Sequence, residues 1–403
     1  MSHIQPSNGS SRRDHGSQPV RGRGLRTGYT TGACAAAAAK AATTALLSRE
    51  SVHQVTIRLP VGRDATFEVH RCQWVDSGRS VLCSVVKDGG DDPDVTHGAE
   101  ICATVSLGPA GGRRLQILGG PGVGTVTRPG TGIPLGESSI TKVPRRMIAD
   151  SVEQAAAGHG LGPDACFTVR ISVPNGSEIA RKTTNARLGV VGGISILGST
   201  GVVHPYSTAA WRASVLLAID VASANGLSHL VLSTGTQSEA FTRRYLDLPA
   251  MAYIEAGIFS GPALKRCVMR KVTRATHVGM VGKLSKMAMG YFVTHVAGNK
   301  VNTAFLASLA AECGASPSVQ EEMRRASSAR HFQEIAQAHD LEAVFPLICG
   351  LVCDESSKLL GQDAAGLIVD TLCFDFDGRL LGSASTSPAG IPLLTPSGTA
   401  FDG

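Results

Sequence analysis

Residues 229–236 are HLVLSTGT, a short apolar run that ends in a turn rich in hydroxyl groups and glycine. A five-residue segment with an apolar centre, 229–233, that stops at such a turn is typical of a fully buried strand. Similar runs recur at 251–256 and 276–281, and helices are predicted after the three strands, over 239–246, 261–271 and 283–292. Strands that alternate with helices indicate a doubly wound parallel sheet, which binds its ligands beyond the carboxyl ends of the strands.

Towards the N-terminus the pattern changes. An alanine-rich run predicts a helix over 33–47, which Thr30 or Thr31 can cap. A second helix is predicted over 143–157, and strands over 54–59, 65–70, 81–86, 100–107 and 166–173. Few helices among many strands indicate an α+β domain.

The two patterns divide the chain into four parts. Residues 1–24 are Ser, Gly, Arg and Pro without periodicity and are expected to form a disordered tail. An N-terminal α+β domain is expected over 25–175 and a C-terminal doubly wound α/β domain over 176–345. A terminal helix and hairpin, residues 346–390, should pack on the core.

Charge and composition exclude several classes of protein. Residues 1–26 carry +4 of the formal net charge of +6, so the rest of the 403-residue chain is nearly neutral. A nearly neutral fold with 4% aromatic residues does not suit a nucleic-acid binder. Its apolar runs are too short for a membrane span, and its ten cysteines lack the paired spacing of zinc or iron–sulfur sites. These features favour a cytoplasmic protein with reduced thiols.

The densest polar segment is residues 87–98, KDGGDDPDVTHG, with four carboxylates, a lysine and a histidine. Clustered like charges raise the pKa of a carboxyl group, so Asp91 and Asp94 are candidate general bases, with His97 as another. Two other interpretations stay open. One is a Mg²⁺ or Ca²⁺ site, which would make the protein a metal-dependent hydrolase using Asp91, Asp92 and Asp94. The other is a solvated turn whose side chains cap their own backbone.

Two glycine-rich segments, residues 119–130 and 183–201, are candidate ligand loops because bare backbone amides attract anions. Each could equally be a surface loop. Basic side chains recur beside them, and three of these, Arg128, Arg145 and Arg187, suit carboxylate or phosphate groups. Residues 279–284, GMVGKL, lack the spacing of a phosphate-binding loop.

Several of these segments together resemble one family, the cobalt-precorrin-5B C-1 methyltransferases of the CbiD type. The resemblance covers roughly residues 25–385. It rests on GYTTGAC at 28–34, the loop 87–98, the glycine loop 119–127, residues 143–145, and residues 187–201. It implies a two-domain enzyme whose C-terminal domain is like a rearranged methyltransferase fold. Such an enzyme transfers a methyl group from S-adenosylmethionine to C-1 of cobalt-precorrin-5B, giving cobalt-precorrin-6A in cobalamin biosynthesis.

The resemblance also implies which groups bind. Cobalt would enter only with the tetrapyrrole, so no protein metal site is expected, and the enzyme could form a homo-oligomer. The carboxylates of the substrate would be bound beside the glycine loops. The expected substrate-binding residues are Thr30, Thr31, Lys87, Arg128, Arg145 and Arg187.

The donor is expected at the strand ends of the doubly wound sheet. Its candidate residues are Gly192, Gly193 and Gly235, with Glu239 or Glu255 on the ribose hydroxyls.

The C-terminal motifs depart from the family pattern at three positions. Met280, Val296 and Asn299 stand where the family usually has histidine, serine and aspartate. These departures motivate an alternative, a paralogue that binds a tetrapyrrole or corrinoid without methylating it.

Overall fold

The computed structural model describes residues 24–109, 111–162, 164–294, 300–364 and 366–394. Of the predicted tail, only Gly24 lies within these ranges. Among the described residues, no helix is both long and apolar enough to cross a membrane.

The N-terminal half is built on a five-stranded sheet with two helices. The elements are β1 (Gly28–Tyr29), α1 (Thr31–Ser48), β2 (Gln54–Arg58), β3 (Asp64–Glu68), β4 (Arg71–Val75), β5 (Ser80–Val86), β6 (Glu100–Leu107), β7 (Leu115–Gly119), β8 (Gly122–Val123), β9 (Thr125–Val126), α2 (Lys142–Gly158) and β10 (Phe167–Ser172). The sheet order is β4-β5-β6-β10-β7, and β2 and β3 form a separate hairpin.

Helix α1 lies at the centre of this half. The predicted alanine-rich helix is confirmed, and its alanines are fully buried against β5, β6 and α2. A helix that is apolar on every side is stable only inside a core, and alanine lets its neighbours approach closely. Strand β7 was not predicted, because it lies in a glycine-rich part of the sequence.

Residues 176–203 return to the N-terminal half. They contain α3 (Gly176–Ala180), β11 (Val190–Val191), β12 (Gly193–Ile194) and β13 (Val202–Val203). Strand β13 pairs with β1, β12 with β8, and β11 with β9. The expected boundary at residue 176 places this segment in the C-terminal domain, whereas its strand partners all belong to the N-terminal half.

The C-terminal half holds a second five-stranded sheet, of order β15-β14-β16-β17-β18. Its elements are α4 (Thr208–Ala224), β14 (His229–Ser233), α5 (Thr236–Thr242), β15 (Tyr253–Glu255), α6 (Ser260–Met269), β16 (Arg274–Met280), α7 (Val281–Met287), α8 (Thr303–Glu312), α9 (Pro317–Arg324), α10 (Ala329–Ala338), α11 (Val344–Leu360), β17 (Ile368–Phe374) and β18 (Leu380–Ser385). Short 3₁₀ turns lie at Asp76–Gly78, Asn185–Leu188, Ala250–Ala252 and Gly361–Ala364.

Four strands of this sheet are parallel, and β18 closes the edge as an antiparallel hairpin with β17. The mixed α/β fold and the predicted terminal hairpin are confirmed. Within residues 346–390, β17 and β18 complete the sheet, because β17 lies between β16 and β18, while the helix α11 packs against these two strands. From β14 the chain goes to β15 on one side and then crosses to β16 on the other, so the strand order reverses at β14.

Candidate active site

A cavity of about 750 Å³ lies where β14 and β16 end. One wall is formed by residues 234–238, which follow β14, and another by Met280 and the start of α7. Residues 300–303, residues 326–329 and Phe376 complete the lining. Crevices at the carboxyl ends of parallel strands, where the strand order reverses, are the usual ligand sites of such sheets.

Gly235 and Glu255 lie at the carboxyl ends of two adjacent strands, β14 and β15. Glu255 ends β15 opposite Ser233, the last residue of β14, and Gly257 donates a backbone hydrogen bond of 3.0 Å to Ser233. A Cβ atom built on Gly235 would meet no atom within 4 Å, so the turn leaves open space beside its backbone. The Glu255 carboxylate is exposed. Burial of Lys283 lowers the pKa of this lysine, and Glu255 is close enough to oppose that shift in part.

Glu239 is not free to bind a ribose, which corrects one expectation. Its buried carboxylate accepts hydrogen bonds from Arg187 (Nη1 at 3.1 Å, Nη2 at 2.9 Å) and from Arg243 (Nη2 at 2.9 Å). Arg187 is therefore also engaged, rather than free for substrate. The ion pair of Arg187 and Glu239 connects the 3₁₀ turn at Asn185–Leu188 to α5. Helix α5 begins in the turn that lines the cavity.

Gly192 and Gly193 lie away from the C-terminal sheet, contrary to the expected donor placement. Gly193 pairs in parallel with Gly122 of β8, and the carbonyl of Gly192 accepts a hydrogen bond of 2.7 Å from Ser177. A side chain at Gly193 would collide with the backbone of Gly122 and Val123. This glycine therefore allows two backbones to pack closely, which is the reason for its position.

Within the loop 87–98, Lys87 and Asp94 form a buried ion pair. Lys87 is 1% exposed and donates to Asp94 at 2.7 Å, and Asp94 also accepts hydrogen bonds from the amide and hydroxyl of Thr96. Burial raises the pKa of Asp94, but the bonds from Lys87 and Thr96 outweigh it and leave this pKa below its ordinary value. The expected raised pKa is therefore wrong for Asp94, and Lys87 is not available to a substrate.

The other carboxylates of the loop have separate partners. Asp88 accepts a hydrogen bond from Arg26. This bond is the main reason that the pKa of Asp88 lies below its ordinary value. Asp91 accepts from the backbone amide of Arg26 at 2.6 Å, and Asp92 from that of Tyr206 at 2.8 Å. Over the described ranges, no group of three or more His, Cys, Asp or Glu side chains could hold a metal ion. The hydrolase alternative thus has no ligand cluster at Asp91, Asp92 and Asp94.

His97 is exposed, and its Nδ1 accepts a hydrogen bond of 3.0 Å from the amide of Gly89. This bond occupies Nδ1, so Nε2 is the nitrogen that the ring presents to solvent. Of the three expected bases, Asp91 keeps an oxygen, Oδ1, that has no hydrogen-bond partner in the described part of the chain.

Two further expected substrate residues, Thr30 and Thr31, make hydrogen bonds within the N-terminal half instead. Thr30 caps α1 by accepting from the amide of Ala33 at 3.2 Å. Thr31 donates to the carbonyls of Ser195 and Leu197 and accepts from the amide of Leu197 at 2.9 Å.

Arg145 is likewise engaged: it donates to the carbonyls of Ile140 and Ile117 and to Glu137. Arg128 is different, because it is exposed and packs its methylenes on Gly189 without a polar partner among the described residues.

Two aromatic residues that the sequence analysis did not select connect the loop 87–98 to the sheet. Tyr206, 50% exposed, is hydrogen bonded to Asp92 through its amide, and it leads into α4. Trp211, 41% exposed, packs on Gly257 and lies edge-on to Phe259 at 5.3 Å, just beyond the end of β15. The sequence contains one feature that could have drawn attention to Trp211, which is that the chain has only two tryptophans.

Of the three positions that depart from the family pattern, Met280 lines the cavity. Val296 and Asn299 lie outside the described residues.

Comparisons with known proteins agree on one family. The family models described as "CbiD" and "CbiD, C-terminal domain" match residues 18–205 and 293–385. Relatives named "Cobalt-precorrin-5B C(1)-methyltransferase" include one from Geobacillus sp. (strain WCH70), 46% identical over 91% of this chain and 98% of its own length. Another, from Leptospira interrogans, is 41% identical over 93% of this chain and 100% of its own.

A solved structure of a cobalamin biosynthesis protein (cbiD) from Archaeoglobus fulgidus also matches. It is 24% identical, with 78% of this chain and 85% of that one covered, and its TM-score of 0.36 is too low to support an argument about the fold. The sequence identity to the curated relatives extends over nearly the whole chain. The chain therefore belongs to the CbiD family.

Proposed function

We propose that this protein is an S-adenosylmethionine-dependent C-methyltransferase that converts cobalt-precorrin-5B to cobalt-precorrin-6A in cobalamin biosynthesis. The observation that carries the proposal is the 46% identity, over 91% of the chain, to a relative named for C-1 methylation of this substrate. The cavity at the ends of β14 and β16 supports it, because it is a ligand-sized site on a sheet of the kind that binds nucleosides. On this basis, the C-terminal half is a rearranged methyltransferase-like domain.

We place the donor on the turn 234–236, with its ribose hydroxyls on Glu255. The turn has open space at Gly235, and the Glu255 carboxylate is exposed on the next strand, twenty residues further along the chain. A glycine turn followed about 20 residues later by an acidic residue is how doubly wound sheets hold a ribose. The donor supplies the methyl group, and these residues orient it.

We place the substrate between the loop 87–98 and the exposed first turns of α4, against Tyr206 and Trp211. The contact from Asp92 to Tyr206, and that from Trp211 to Gly257, put this surface beside the end of β15. Arg128 remains a candidate partner for a substrate carboxylate. Asp91 is the proposed proton acceptor, since a ring carbon that gains a methyl group requires proton loss from the macrocycle, and general-base help is worth roughly 10²–10⁴-fold.

A transfer assay tests the function. Incubation with methyl-labelled S-adenosylmethionine and cobalt-precorrin-5B should move the label to the macrocycle. The carrier alternative is favoured by one observation, Met280 in the cavity wall at the position of the family histidine. Tight binding of the macrocycle without transfer of label, in an assay where a family relative is active, would support the carrier instead.

The donor placement predicts that Glu255→Gln weakens binding of S-adenosylhomocysteine about tenfold or more. A hydrogen bond to a charged group is worth about 1.5–3 kcal/mol, and each 1.4 kcal/mol is a factor of ten. Isothermal titration calorimetry measures the dissociation constant. Glu239→Gln is the comparison, since its carboxylate is held by Arg187 and Arg243. A larger loss in Glu239→Gln than in Glu255→Gln would show that the donor placement is wrong.

A further inference from the structure

Lys286 is a buried lysine that has no partner among the described residues. It lies on α7, lines the cavity and is 7% exposed. Within the described ranges it makes no hydrogen bond and no ion pair, and burial lowers its pKa. Lysines this deeply buried are almost always paired, because desolvation of an ammonium group is costly.

The other buried lysine of the protein shows the ordinary arrangement. Lys87 is 1% exposed, and its ammonium is met by Asp94 at 2.7 Å. Among the described residues Lys286 has no such counter-charge, so none of them recovers the folding free energy that its desolvation costs. A ligand that brings a negative charge into the cavity would recover it.

Two more lysines line the same cavity. Lys283, one turn before Lys286 on α7, donates to the backbone carbonyl of Thr234, and Lys300 also lines the cavity. Lys286 is near enough to help lower the pKa of Lys283, so the two ammonium groups repel. Among the described lining residues there is no aspartate or glutamate. The described lining residues therefore carry positive charge alone, and Glu255, which is close enough to raise the pKa of Lys283, is not one of them.

We propose that Lys286, together with Lys283 and Lys300, forms a carboxylate-binding subsite of this cavity. The proposal rests on the proposed function, whose reactants supply the carboxylate. One source is the amino-acid end of the methyl donor. The other is an acetate or propionate side chain of the macrocycle. The chemistry is shared: an anion placed among these ammonium groups relieves their repulsion and pairs the buried charge.

Calorimetric titration of Lys286→Met tests the subsite, because methionine keeps the length of the side chain and removes the charge. The probes are S-adenosylhomocysteine, 5′-methylthioadenosine, which lacks the carboxylate, and cobalt uroporphyrin, an octacarboxylate macrocycle. We expect affinity for one carboxylate probe to fall at least tenfold while affinity for methylthioadenosine changes less than twofold. Lys286→Arg should retain most of the affinity, and Lys265→Met, an exposed lysine on α6, should match wild type.

The pattern of losses identifies the source. A loss for S-adenosylhomocysteine alone assigns the subsite to the donor, and a loss for cobalt uroporphyrin alone assigns it to the macrocycle. Unchanged affinity for both probes in Lys286→Met overturns the proposal. A wild-type protein that binds these probes but transfers no methyl group would reject the proposed function and leave the subsite standing.

Thermal unfolding supplies a second readout. Because Lys286→Met removes an unpaired buried charge, its melting temperature should be equal to or higher than that of wild type. A decrease of several degrees would mean that the ammonium is paired within the fold, and would also overturn the proposal. Lys286→Gln provides the same test with a smaller, polar side chain.

Discussion

Asp94→Asn is expected to destabilise the protein by about 3–5 kcal/mol, because it leaves the ammonium of Lys87 buried without a counter-charge. Lys87 is 1% exposed, and its Nζ lies 2.7 Å from the Asp94 carboxylate. Removing one partner of a buried ion pair costs more than the pair contributes, since the remaining charge cannot regain its hydration. Chemical denaturation followed by circular dichroism measures the free energy of unfolding.

Asp91→Asn is the matched control, three residues away in the same loop. Its exposed carboxylate accepts from the backbone amide of Arg26, a bond that an asparagine oxygen can also accept. We expect a change within about 1 kcal/mol. Equal effects of the two substitutions would contradict a buried pair at Lys87 and Asp94.

The same pair predicts a pH dependence with a defined sign. The folded-state pKa of Asp94 lies below its ordinary value of 3.8, so the folded protein binds this proton more weakly than the unfolded chain does. Its contribution to stability is therefore fully present above pH of about 4 and is lost as the pH falls through the folded-state pKa. The stability gap between wild type and Asp94→Asn should therefore shrink as the pH falls below about 4. A gap that widens on acidification would contradict the lowered pKa.

Gly193→Ala is expected to cost on the order of 3 kcal/mol or more, because its methyl group would collide with the backbone of Gly122. Gly122 and Gly176 are crowded against each other at the same junction, so the backbone has no direction in which to move. The change should lower the melting temperature, and the loss would follow from packing rather than from a contact to the donor.

Gly235→Ala is the comparison for that prediction. Its backbone is extended, with φ of 176°, and an added methyl group would meet no atom within 4 Å. We expect wild-type stability, with weaker binding of S-adenosylhomocysteine because the methyl group occupies the donor turn. If Gly193→Ala keeps the wild-type melting temperature while losing donor affinity, the sequence-based donor placement at Gly193 would be restored.

Short sequence patterns were sufficient to predict many of the helices and strands. The run 229–233 predicted β14 to the residue, and the alanine-rich run predicted α1 within two residues. Each depends on preferences between near neighbours in the chain, such as burial periodicity, capping and alanine propensity. The family resemblance was also visible in short motifs, and the identity to curated relatives confirms it.

Side-chain partners were not predictable in the same way. Glu239 and Glu255 were equal candidates in the sequence, yet two arginines occupy one carboxylate and the other is exposed at a strand end. Lys87 and Lys286 likewise differ in whether a carboxylate faces them. Whether a charge is paired depends on residues far away in the chain, so near-neighbour patterns do not contain that information.

The sequence by itself therefore determined that the chain combines an α+β half with an α/β half. It also determined where many of the helices and strands lie, and the family. Only the tertiary structure decided that residues 176–203 pair with the N-terminal strands. It also decided that the expected substrate residues mostly hold the fold together, and that a cavity with three lysines lies at the ends of β14 and β16. The physical reason is that an element forms from local energetics, whereas a site forms from charges and backbones that long-range packing brings together.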